Sequence, residues 1–341
     1  IRHSMLVTHL THVRYLSGFS GSNGAMLVSK DRTAAIATDG RYTTQIAEEV
    51  PDIQAAIERN VAVAMLSKAA DGHRVGFEVD YVSVSLLEKL REACPDGVTL
   101  VPVSGVIEDI RLTKDNVELT RLTEAAELSV RALDELLGAG ELRAGRTERE
   151  VAADLEYRMR VLGAERVSFD TIVASGPNSA KPHHGAGDRV IAEGDLVTID
   201  FGMHRLGFNS DMTRTFAIGE IGSLEHEIYE VTLAAQLAGV KAAVPGAKLA
   251  DVDKACRDVI EDAGYGEYFV HSTGHGVGLD VHEAPSAAKT GEGTLAEGMT
   301  LTIEPGIYIP GKAGVRIEDT LIITAAAPKV ITDYTKDLTV L

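Results

Sequence analysis

The chain has 341 residues, 45% of them apolar, and its 33 basic and 51 acidic side chains give a formal net charge of −18. That length and apolar content are enough for two hydrophobic cores. The acidic balance argues against nucleic acid or an anionic membrane surface as a partner, and no apolar run reaches the roughly 18–20 residues that span a bilayer. Cys94 and Cys256 form no CxxC pair and read as small apolar residues, which fits a reducing, cytoplasmic setting better than a disulfide framework.

In chain order, Met5–Val7, Ala25–Val28, Ala34–Ala37 and Arg74–Phe77 are β-rich runs, while 42–49, 62–69 and 85–93 have helical spacing. Their alternation predicts a small α/β layer. The stretch IRLTKDNVE at 110–118 ends that pattern. Asp115 and Glu118 have capping-box spacing and precede apolar residues at 119, 122, 126, 130, 133 and 137, so a helix is predicted over 116–138. The boundary falls near 112–116, giving domains of 1–114 and 115–341.

The second domain repeats itself. A helix opened by the capping box Thr147–Glu150 and closed by Gly163 follows the first; helices over 224–243 and about 249–263, the latter closed by Gly264, form the second pair. Gly145, Val151 and Gly163 return as Gly246, Val252 and Gly264. The octet EGDLVTID ending at Asp200 returns as EGMTLTIE ending at Glu304. Each octet leads into a second strand with another acid, Asp211 in one and Glu318 in the other. The expected architecture is an α+β unit with a pseudo-twofold axis, two hairpins curving round one cleft and two carboxylates from each half at the seam.

Four converging carboxylates require cations. A turn centred on Arg205–Leu206 would make Asp200 and Asp211 direct cross-strand partners. Pro305–Gly306 stops the strand after Glu304, and Arg316 shares a face with Glu318 while Asp319 points away. The segment FVHSTGHGVGLDVHE at 269–283 carries His271, His275 and His282 and offers a fifth ligand, with glycines flanking His275. Four carboxylates and one imidazole balance two divalent ions per chain. An oxygen-rich set with one nitrogen favours Mn²⁺, then Co²⁺, over Zn²⁺.

The motifs DFG…SDMTRTF, GHGVGLDVHEAP, IEPGIY and RIEDT, with VRYLSGFSGSNGAMLV and TDGRY earlier in the chain, resemble the Xaa-Pro peptidase branch (Xaa-Pro aminopeptidase and Xaa-Pro dipeptidase, or prolidase) of the pita-bread metallopeptidases. The resemblance covers nearly the whole chain. It implies a pita-bread catalytic domain behind a creatinase-type N-terminal domain, and Asp200, Asp211, His275, Glu304 and Glu318 as ligands of two metal ions. It also implies that Glu304 carries the proton of the attacking water, that His282 bonds the scissile carbonyl, and that His183 lines the proline side of the cleft. His184 stays open as the alternative to His183. Arg316 is expected to orient Glu318 or a peptide carboxylate, with His271 and Tyr308 near the substrate. Proline-containing peptides are the implied partners and a homodimer the implied assembly. The short leading domain leans toward the aminopeptidase over the dipeptidase. A catalytically silent pita-bread binding protein is the reading from another class; such relatives are marked by lost ligands, and none is lost here.

Overall fold

The computed structural model describes residues 2–341. The chain separates into two compact units, Ile1–Ile110 and Arg111–Leu341. Arg111 and Lys114, read from sequence as the end of the leading domain, make their ion pairs with Asp280 and Glu283 of the second unit.

The first unit is built on a six-stranded sheet. Arg2–Val7 lies antiparallel to Gly24–Ser29 and parallel to His73–Glu78, with Ala34–Thr38, Ala55–Ile57 and Thr99–Val103 continuing outward. Alternation along these strands fills two cores. Leu6, Leu27 and Ala37 join one with Met65 and Leu90, while Val7, Met26 and Ile36 join another with Val13 and Ile46. Helices therefore cover both faces, as an α/β layer requires.

The second unit contains two similar halves, each with its own core. In the first, helices Asn116–Gly138 and Glu148–Val161 pack on the sheet formed by Ile172–Ser175, Leu196–Phe201 and Met212–Ala217. In the second, helices Ser223–Ala242 and Leu249–Asp262 pack on Thr300–Ile303 and Asp319–Ile322. Both capping boxes form, Asp115 with Glu118 and Thr147 with Glu150. The glycines that open the octets, Gly194 and Gly298, share a φ of 85°.

The register of the first hairpin differs from expectation. Asp200 pairs with Thr213, not Asp211, and the turn centres on Leu206–Gly207. Both turn residues have positive φ, 50° and 87°, and Gly207 meets that demand without a Cβ penalty. The slip is two residues, so Asp211 stays on the same face as Asp200's partner. The halves are joined by a bridge between Thr213 and Glu318, reinforced by the Thr215 hydroxyl donating to the Arg316 carbonyl at 2.9 Å.

Candidate metal centre

Strand ends at the seam deliver the acids. Asp200 comes from Leu196–Phe201, Asp211 from the residue before Met212–Ala217, Glu304 from the end of Thr300–Ile303, and Glu318 from the residue before Asp319–Ile322. His275 arrives on the strand Gly274–Gly276. Gly274 is required there: a Cβ would stand 1.7 Å from the Thr302 carbonyl oxygen. Ligand atoms of Asp200, Asp211 and Glu318 lie within 4.8 Å of one another, as do those of His275, Glu304 and Glu318. Those of Asp211, His275 and His282 form a third such group.

The surroundings aim these atoms inward. His275 Nδ1–H donates to the Gly276 carbonyl at 3.0 Å, which leaves Nε2 facing Glu304 at 3.2 Å and Asp211 at 3.6 Å. The Thr302 hydroxyl donates to Glu304 Oε1 at 2.9 Å, and the Thr213 hydroxyl donates to Glu318 Oε2 at 2.6 Å. Thr213 and Thr302 were not singled out from sequence, although both lie within motif stretches.

Arg316 corrects an expectation. Its guanidinium donates to Asp200 Oδ2 at 2.7 Å, to the Tyr308 hydroxyl at 2.9 Å and to Thr213 Oγ1 at 3.2 Å, rather than to Glu318. The bridge at Thr213 brings the first hairpin against Arg316, and Asp200 is the acid this places in reach. Tyr308 in turn lies 2.8 Å from His271 Nε2, while His271 Nδ1–H donates to the Ser272 carbonyl. Asp319 points away, as expected, into a network with Arg214, Gln236 and Lys336.

Electrostatics shows the strain in such a cluster. Burial, and then the charge of neighbouring Asp200, holds Asp211 well above the usual carboxylate range; burial and Asp211 do the same to Glu318. Burial also lifts Asp200. Burial opposes the charged form of Glu304, but the hydrogen bond and charge of His275 prevail and bring it down to about 2. Burial likewise opposes the imidazolium of His275, yet Glu304 and Asp211 raise it to about 9. Burial lowers His271 and His282 and pushes Tyr308 up to about 12.

These residues fit divalent cations. Among the described residues, Asp200 Oδ1 and Glu318 Oε1 are buried with no hydrogen-bond partner, the state of a carboxylate oxygen whose counterpart is a cation. The donor set, oxygen-rich with one imidazole, matches hard to borderline ions.

A cavity of about 460 Å³ opens beside the cluster, within the range of small-ligand sites. His183, His271 and His282 line it, as does His184, so both neighbours of the ambiguous pair reach the cleft. His183 and His282 are exposed there, and the ring of His282 stands 4.3 Å from that of His275. Phe169, Asp170 and Ile172 complete one wall and were not legible from sequence. Ile172 faces Asp200 across the sheet. The His282 loop is anchored by Glu283, which accepts from Lys114 at 2.6 Å and from Arg111.

Buried acids whose charges divalent cations would reconcile, at the floor of an open cleft, mark a candidate metal centre. The relationships narrow this reading. Residues 120–325 match the model of metallopeptidase family M24 and residues 3–113 that of the creatinase/prolidase N-terminal domain, and the chain belongs to family M24. It is a metallopeptidase with the pita-bread catalytic fold. It is similar to a Xaa-Pro dipeptidase of Pyrococcus furiosus, with 38% identity over 334 residues, 96% of this chain and 92% of the relative. Among solved structures it is similar to a Xaa-Pro dipeptidase from Bacillus anthracis (TM-score 0.94, 40% identity, 100% of this chain and 95% of that one). It is also similar to an X-Pro aminopeptidase from Thermotoga maritima (TM-score 0.91, 34% identity, 100% and 98%). Among the described residues no helix is long and apolar enough to cross a membrane.

Proposed function

We propose that this metallopeptidase hydrolyses the bond before proline at the N-terminus of short peptides, using two divalent ions, Mn²⁺ in preference to Co²⁺ or Zn²⁺. The observation that carries the reading is the convergence of Asp200, Asp211, His275, Glu304 and Glu318 beside a cleft walled by His183 and His282. The five residues hold the ions. When bound, the ions lower the pKa of a water toward neutrality and polarise the scissile carbonyl. Glu304 takes the proton of the attacking water and returns it to the proline nitrogen as the C–N bond breaks. His282 Nε2–H or Nδ1–H donates to the carbonyl oxygen as charge develops there. Arg316 keeps Asp200 in place, and Tyr308 with His271 supports the far side of Arg316. His183 lines the side that receives the proline ring. Proline presents no N–H and a fixed φ, so a cleft that asks for no donor at that position selects for it.

A dipeptide is the substrate favoured. Neither the short leading domain nor the absence of a long insertion separates the aminopeptidase from the dipeptidase, because the Pyrococcus dipeptidase is matched over 92% of its own length. The aminopeptidase is kept as the second reading because the Thermotoga enzyme is covered over 98% of its length. A homodimer of a reducing compartment is proposed with it, by analogy with the Xaa-Pro peptidase branch.

Chelation is expected to abolish hydrolysis of Xaa-Pro, and Mn²⁺ to restore it. With Mn²⁺ saturating, Xaa-Pro should be cleaved faster than Xaa-Pro-Yaa; the reverse order selects the aminopeptidase, and undiminished turnover after exhaustive metal removal rejects the proposal. Metal uptake should also release protons, because Asp211 and Glu318 are held well above the carboxylate range and His275 at about 9 until cations replace the protons. Apparent affinity should therefore rise with pH while these groups still carry protons. Calorimetric titrations with Mn²⁺ in two buffers of different ionisation enthalpy test this; identical heats and pH-independent affinity would contradict it.

A further inference from the structure

The capping box at the start of helix Glu148–Val161 accounts for Thr147 and Glu150 but leaves Glu148 unexplained. Glu148 has a side-chain exposure of 0%, and a lone carboxylate is costly to bury unless hydrogen bonds surround it. They do. Oε1 accepts from the Ser175 N–H at 2.9 Å, the Ser175 hydroxyl at 2.7 Å and Asn178 Nδ2 at 3.0 Å. Oε2 accepts from His184 Nε2 at 2.7 Å and from the Gly187 N–H at 3.2 Å. Burial works against the charge, but these donors outweigh it and hold the carboxyl below its ordinary value.

The five donors come from three places that the chain must hold together. Ser175 ends the strand Ile172–Ser175, Asn178 belongs to the short turn Gly176–Ala180, and His184 and Gly187 belong to the loop beyond it. Between them lie Pro182, His183 and Gly185, all on the wall of the cleft. The helix end adds backbone support: the amides of Glu148 and Arg149 donate to the carbonyls of Arg189 and Gly187. One buried carboxylate thus clamps both ends of the segment that presents His183.

We infer that Glu148 is a positioning residue for substrate: through His184 and Gly187 it sets the loop that carries His183, and so the wall against which the proline ring seats. The pair His183–His184, which sequence leaves open, divides the work. His184 engages Glu148 and His183 meets the substrate. The inference rests on the peptidase reading above, and its test separates the two.

Glu148→Gln keeps an oxygen for Ser175 and Asn178 but turns an amide N–H toward the Gly187 N–H and the His184 ring, so it disturbs the loop side selectively. In the manganese-loaded enzyme, KM for a Xaa-Pro dipeptide should rise about tenfold or more while kcat stays within about threefold, the pattern of lost ground-state seating. Metal content should equal that of wild type. Amide hydrogen exchange should speed up in 184–187 and stay unchanged in the two metal-bearing hairpins. Glu148→Asp, which keeps the charge and both oxygens, should recover part of the KM. Faster exchange with an unaltered KM, or loss of metal together with activity, overturns the assignment of a positioning role. Unaltered exchange in 184–187 overturns the clamp itself. A wild-type enzyme that fails to cleave Xaa-Pro counts against the peptidase reading, while the exchange experiment still reports on the clamp.

Discussion

Asp211→Asn is expected to lower bound divalent metal below two ions per chain and to cut Xaa-Pro hydrolysis by about a thousandfold, roughly 4 kcal/mol of lost transition-state stabilisation. The amide preserves the shape of the side chain but supplies a neutral oxygen where a cation needs a charged one. The fold should not suffer. Asp211 is buried, and both burial and the neighbouring Asp200 disfavour its charged form, so a neutral amide removes a repulsion rather than a stabilising contact. The cation-free variant should melt no lower than cation-free wild type, while Mn²⁺ should raise the melting temperature of wild type much more than that of the variant. Elemental analysis with thermal scans, with and without Mn²⁺, decides it: two ions retained by the variant would remove Asp211 from the ligand set.

The second large effect belongs to a residue outside the cleft. Arg214 is 2% exposed and lies behind the bridge between the halves. Its guanidinium donates to the carbonyls of Thr213 and Glu318, to Asp319 Oδ1 at 2.8 Å, and to the carbonyls of Thr332, Tyr334 and Thr335. Asp319 is itself fully buried, so truncating Arg214 leaves it leaning on Lys336, Gln236 and Thr332 alone. Arg214→Ala is expected to destabilise the second unit by about 3–5 kcal/mol, the cost of breaking one side of a buried pair. Arg214→Lys should recover little of this, since one ammonium cannot reach acceptors spread around a planar fork. Urea unfolding followed by circular dichroism reads the change; a loss under about 1 kcal/mol would show that the network is not structurally demanding. Because Glu318 is held through its carbonyl, metal affinity should fall alongside stability.

Much of the second unit is legible in the sequence because local signals and long-range pairing agree there. Asp115 with Glu118 and Thr147 with Glu150 start helices where capping chemistry says they should, and the repeated octets become the inner strands. The first unit is less transparent. The helix Leu10–Ser17 escapes notice because its N-cap, His9, makes no side-chain cap. Ala55–Ile57 and Thr99–Val103 are edge strands without a fully buried face, and they owe their state to parallel pairing with Ala34–Thr38 and His73–Glu78. At the site, duplication of the octets and the glycine-flanked His275 point to the five converging side chains. The partner of Arg316 does not follow from spacing, because the choice between Asp200 and Glu318 is made by the bridge at Thr213, which joins strands of different halves. Glu148 hides for a similar reason: next to a cap it reads as one more first-turn acid, and only the fold turns Ser175, Asn178 and His184 toward it.

The doubled scaffold is not used symmetrically. Beside Asp200 the first half places the aliphatic side chain of Ile172, whereas beside Glu304 the second half places His275, whose backbone N–H is tied to Thr302. Matching acids occur twice over, while the flanking strand carries a nitrogen donor on one side and a hydrocarbon surface on the other. The two flanks of the doubled scaffold therefore differ in chemistry, although both halves contribute acids to the centre and histidines to the cleft.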